Sequence, residues 1–181
     1  MTSAEQRYEA ELKQSDIDHH TPTAGAMTGH IIANLLIHSL KISQAKLFAK
    51  GVAALFLEGY GDQWVVHEQQ VFKELNTLLV SNGESIPTTI DQFKEFTMLE
   101  ESGADKYQPG NEQLFNLIKD FDTQTLFITK AIALAQKEDW QPLAVKLSGL
   151  LAWINAQIAI AQHFLGHDLR EGLYNEEDDD F

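Results

Sequence analysis

The sequence has no cysteine in its 181 residues. That excludes disulfides and thiolate metal sites and fits a reducing compartment. Proline is nearly as scarce: four occur, at positions 22, 87, 109 and 142, which leaves long stretches free to run as uninterrupted helices. Positive charge is also in short supply, since 13 Lys and Arg stand against 27 Asp and Glu for a formal charge of −14. Such a surface repels nucleic acid at long range, so contact with DNA needs a local basic feature or a bridging cation. No stretch reads as apolar enough to span a bilayer, and the start lacks a basic-then-apolar leader. The expectation is a soluble, cytoplasmic, single-domain protein with no membrane partner.

What is present is helical periodicity. One helix is expected from about Met27 to Lys50, with Leu36, Leu40 and Leu47 on one face and Gly51 closing it. A second runs from about Ala53 to Ser81 with Trp64, Val71, Leu75 and Leu78 on one side, and stops at Asn82-Gly83. Beyond Pro109-Gly110, Asn111 is the expected N-cap of a third helix. Its Leu114, Ile118, Phe121, Thr125, Ile128 and Ile132 alternate spacings of four and three. The last helix opens at Gln141-Pro142 and carries Leu143, Leu147, Leu150, Ile154, Ile158 and Leu165 to Gly166.

Each helix spans roughly 36–43 Å at 1.5 Å per residue, and no strand signal competes. The fold class is all-α, a four-helix bundle whose long link between the second and third helices implies a crossover of the ferritin-like kind. A short helix is expected inside that link over 88–96, with Thr88 and Asp91 at capping-box spacing. Before the bundle, Ser3 to Gln6 has the same spacing. Ala4, Tyr8 and Leu12 follow at intervals of four, predicting an extra amphipathic helix over residues 3 to about 15. The chain therefore divides into an N-terminal extension (1–26), the bundle (27–166) and a C-terminal tail (167–181) whose acidic run, 175–180, reads as solvated.

Few residues suggest chemistry. Asp16, Asp18, His19 and His20 are a compact set of candidate metal ligands, and His163 and His167 stand one helical turn apart as a two-histidine pair would. His38 and His67 have no companion ligand at helical spacing and read as interface or surface residues. No Glu is followed three residues later by His, so the Glu-x-x-His di-iron pattern of ferritin-like carboxylate proteins is missing.

Over about residues 28 to 166 the sequence resembles the Dps family of bacterial mini-ferritins. The landmarks are His30-x-x-Ala33-Asn34-Leu35, Lys41-Ile42-x-Gln44, Gly51, Asn82-Gly83 and Phe164-Leu165-Gly166, in the family's order and spacing. The resemblance implies a homo-dodecameric cage with an iron-oxidising site shared between two subunits. In that family a Gly is followed after six residues by His, then after three by Asp, after ten by Asp and after three by Glu, with a further His at the end of the first helix. Here the same positions read Gly51, Glu58, Asp62, Lys73 and Thr77, with Lys46 at the helix-end position.

Ferrous iron needs donors with lone pairs, and a protonated lysine brings a positive charge instead. Lys46 and Lys73 beside Glu58 and Asp62 are expected to form a salt-bridge cluster in place of a metal. The implied function is non-specific DNA binding and protection by a cytoplasmic, nucleoid-associated cage without a conventional ferroxidase centre or a required cofactor. Arg7 and Lys13 are the candidate phosphate contacts, although residues 1–20 are acidic overall. The alternative is an atypical mini-ferritin that oxidises or stores iron, or another divalent metal, through Glu58, Asp62 or interior acids.

Overall fold

A computed structural model describes residues 2–174. In chain order the helices are α1 (Ala4–His20), α2 (Ala24–Phe48), α3 (Val52–Ser81), α4 (Ile90–Phe96), α5 (Gly110–Lys137) and α6 (Gln141–Leu165), with a 3₁₀ turn at Asp105–Tyr107. Among the described residues there is no strand. The long helices α2, α3, α5 and α6 form the bundle, and the link from α3 to α5 carries α4 across it. Gly51 (φ 74°) takes the left-handed conformation between α2 and α3, which glycine adopts at little steric cost. The core runs through the bundle centre on Ile32, Leu35, Leu57, Trp64, Leu75, Leu114, Ile118, Phe121, Leu147 and Ile154.

Several boundaries differ from the sequence reading, some for tertiary and some for local reasons. Helix α2 begins at Ala24 rather than Met27. The Thr23 side chain accepts from the Ala26 N–H, and the Ala24 N–H donates to Glu138 Oε2 at 2.7 Å. Helix α5 begins at Gly110 with Pro109, not Asn111, in the capping position. A Cβ at Gly110 would stand 2.1 Å from the Lys50 carbonyl oxygen, so only glycine lets the start of α5 lie against the end of α2. The capping box of α4 is made by Thr89 and Gln92 rather than Thr88 and Asp91.

The inward face of α2 is also not the expected one. Ile31, Ile32, Leu35 and Ile42 are buried, whereas Leu40 and Leu47 are 50% and 74% exposed. His38 is no surface residue; it lies fully buried in the bundle. Helix α6, contrary to expectation, is long and apolar enough to cross a membrane by length and composition. Here it supplies the fourth wall of the bundle, burying Leu143, Leu147, Leu150, Ile154 and Ile158.

Helix α1 has the expected Ser3–Gln6 capping box but continues to His20. None of its residues is buried, and Tyr8 and Leu12 are exposed, so its apolar stripe has no cover within the chain. After α6 the chain folds back: Arg170 donates to both carboxylate oxygens of Asp122 at 2.7 and 3.3 Å, and Leu173 is buried. The acidic run 175–180 lies outside the described residues.

Candidate functional site

The position where α2 ends and α3 begins brings Lys46 beside two carboxylates one turn apart on α3. Its Nζ lies 2.8 Å from Asp62 Oδ2 and 3.8 Å from Glu58 Oε2. The hydrogen bond that Lys46 donates to Asp62 holds the Lys46 pKa above its ordinary value, with both carboxylate charges adding to it. A fixed ammonium therefore sits where two carboxylates converge. It satisfies them as a cation would, and it gives no lone pair to a metal.

Within one chain Lys73 and Thr77 stand apart from this cluster; the expected network of two acids and two amines is one that joins them across a subunit interface. Lys73 is eleven residues beyond Asp62 on the same helix, about 16 Å along its axis. With Thr77 it lines a groove between α3 and α6, together with His67, Glu74 and Lys146. Lys146 pairs there with Glu74, and the Lys146 hydrogen bond pulls the Glu74 pKa down. His67 is half-buried and stacks on Trp153 at 4.0 Å.

The two metal-ligand sets proposed from spacing do not assemble. Gly166 ends α6 in the left-handed conformation (φ 74°, ψ 23°), so His163 stays on the helix while His167 is turned away. His167 bonds Gln162 Oε1 at 2.8 Å and approaches Glu171 instead. Asp16, Asp18, His19 and His20 lie on one continuous helix, which points them in different directions. Asp16 and His20 are exposed, while His19 faces His30 and Phe96. Among the described residues no group of three or more His, Cys, Asp or Glu side chains is arranged to hold a metal ion.

Sequence reasoning missed the buried pair in the bundle centre. His38 Nδ1 lies 2.6 Å from Glu68 Oε1, its Nε2 lies 3.1 Å from the Leu117 carbonyl, and Ser39 Oγ donates to Glu68 Oε2 at 3.1 Å. Its partners are 29 to 79 residues apart in the chain, so no local spacing marks it. Arg7 and Lys13 are exposed on α1, and neither forms an ion pair among the described residues.

This arrangement has solved counterparts. The crystal structure of DpsA from Lactococcus lactis MG1363 superposes with a TM-score of 0.86 at 33% sequence identity, covering 92% of this chain and 98% of that one. The chain belongs to the Dps family. DpsB of the same organism matches as well, with TM-score 0.86, 32% identity and coverage of 92% and 96%. Dps from Listeria monocytogenes shares the fold at 22% identity and TM-score 0.77, over 81% of this chain and 96% of that one. No family model matches the sequence, and no curated protein matches it. The Dps fold is retained here, and within it Lys46 pairs with Glu58 and Asp62.

Proposed function

We propose that twelve copies of this Dps subunit assemble into a cage that binds DNA without sequence preference and shields it, in the cytoplasm and on the nucleoid. The observation that carries the reading is α1. Its first two turns are exposed, and it presents Arg7 and Lys13, neither of which forms an ion pair among the described residues. One such helix on a subunit of charge −14 binds a duplex weakly. Several on one cage engage together, and multivalency turns weak sites into measurable avidity. Twelve subunits carry on the order of −170 formal charge, so the complex should weaken steeply with added salt.

The cage needs no conventional ferroxidase centre for this role. In the assembly, Lys73 and Thr77 of one copy face the Lys46, Glu58 and Asp62 cluster of another, and a salt-bridge network closes the two-fold interface. Such a network sets register more than it adds stability.

The test is a gel shift at low salt with the full chain and a form lacking residues 1–20, after light scattering has established that both are dodecamers. A shift by the full chain that is lost on truncation is expected. No shift by either form, with or without magnesium, would overturn the DNA reading. Ferrous oxidation faster than a protein-free blank, abolished by Asp62→Ala, would instead favour iron chemistry at Glu58 and Asp62.

A further inference from the structure

The joint between α1 and the bundle brings together two histidines from different helices. His19 lies at the end of α1 and His30 in the second turn of α2, with ring centroids 4.9 Å apart and planes crossed at 85°. His19 Nδ1 lies 2.6 Å from the Ser15 carbonyl oxygen, and His30 Nδ1 lies 2.8 Å from the Phe96 carbonyl oxygen. A carbonyl only accepts, so in both rings Nδ1 carries the proton and donates it. Each Nε2 is left with a lone pair.

His19 Nε2 is buried and has no hydrogen-bond partner, a condition that buried polar atoms seldom keep. His30 Nε2 makes no hydrogen bond among the described residues. Burial lowers the His30 pKa, the Phe96 carbonyl only partly offsets that, and the neighbouring His19 lowers it further.

An Nδ1–H held by a carbonyl with Nε2 free is the arrangement that orients metal-binding imidazoles. For metal–nitrogen bonds of about 2.0–2.1 Å at a tetrahedral centre, two such rings have centroids about 5 Å apart, which matches the spacing here. The surroundings favour a cation. A small cavity of ≈ 30 Å³ beside His19 is lined by Glu11, Asp18 and Glu84 among others, and none of these three carboxylates forms an ion pair among the described residues. Burial pushes the Glu84 pKa up, and Asp18 and Glu138 push it further, as uncompensated negative charge does.

We propose that His19 and His30 bind one divalent transition-metal ion of the zinc, cobalt or nickel class through their Nε2 atoms, with water completing the shell, and that the ion fastens α1 to α2. This differs from the spacing-derived set, since Asp16 and His20 take no part and His30 does.

The assembled full chain would be titrated with zinc by calorimetry and with cobalt by visible absorbance, beside His19→Gln, His30→Gln and His20→Gln. All four would first be checked as intact assemblies by light scattering. One ion per subunit is expected for the parent chain and for His20→Gln. Affinity should fall roughly tenfold or more in both His19→Gln and His30→Gln. Because His19 lies on α1 outside the bundle core, its variant keeps the test open even where His30→Gln fails to fold. No uptake by the parent chain, or unchanged affinity in His19→Gln, overturns the proposal. So does loss confined to His19→Gln while a folded His30→Gln binds normally. Metal uptake is read without DNA, so its outcome is independent of the DNA-binding reading.

Discussion

His38 has oxygen partners at both ring nitrogens, Glu68 at Nδ1 and the Leu117 carbonyl at Nε2. Burial alone would lower its pKa. The Glu68 charge and hydrogen bond, with Asp120 and Leu117, outweigh that and raise it. A histidine pKa raised in the folded state stabilises the fold fully below the ordinary value near 6.5, and that contribution is lost as pH rises through the folded value. At fixed subunit concentration, the urea midpoint should therefore fall as pH climbs above about 6.5, and His38→Gln should flatten that dependence. His38→Leu leaves Glu68 buried without its counter-charge and should cost about 3–5 kcal/mol. The double replacement His38→Leu with Glu68→Leu should recover most of it. A cost below about 1 kcal/mol for the single variant would mean that Glu68 is not held as a buried anion.

Among the helices, the starts of α2 and α5 depend on other elements as well as on their own first turns. The Ala24 N–H finds its acceptor in Glu138, 114 residues away, and the start of α5 presses on the Lys50 carbonyl. Gly110→Ala forces that contact apart and should cost about 1–3 kcal/mol, as overpacking does. A thermal melt unchanged from the parent would show that the α2–α5 contact gives way easily. Helix α1 is the opposite case. Its cap is wholly local and was legible from Ser3 and Gln6, and Pro22 just past the Thr21 C-cap is a local stop, while its last turn is held by His19 against His30 and Phe96.

For the molecule as a whole, one subunit leaves much apolar surface open, including Leu40, Leu47, Leu55 and Val66. Closure into a cage would cover such side chains. If Lys73 of one copy answers Glu58 and Asp62 of another, Lys73→Glu sets like charges face to face. Light scattering at low salt should then show species smaller than the parent assembly, with added salt restoring the larger form by screening. An undiminished assembly at every ionic strength would count against pairing across the interface.

The sequence by itself determined the helical class, the lengths and order of the bundle helices and the helix in the crossover. Those features rest on composition, on periodicity within a helix and on spacing along one chain, all of which are local. Only the tertiary structure decided that Leu40 and Leu47 face outward, that His38 is a core residue, and that Gly166 parts His163 from His167. It also decided that Lys46 on α2 meets two acids on α3, Glu58 and Asp62. The physical reason is common to all four: burial and ion pairing depend on which atoms other helices bring near, and chain distance does not encode that.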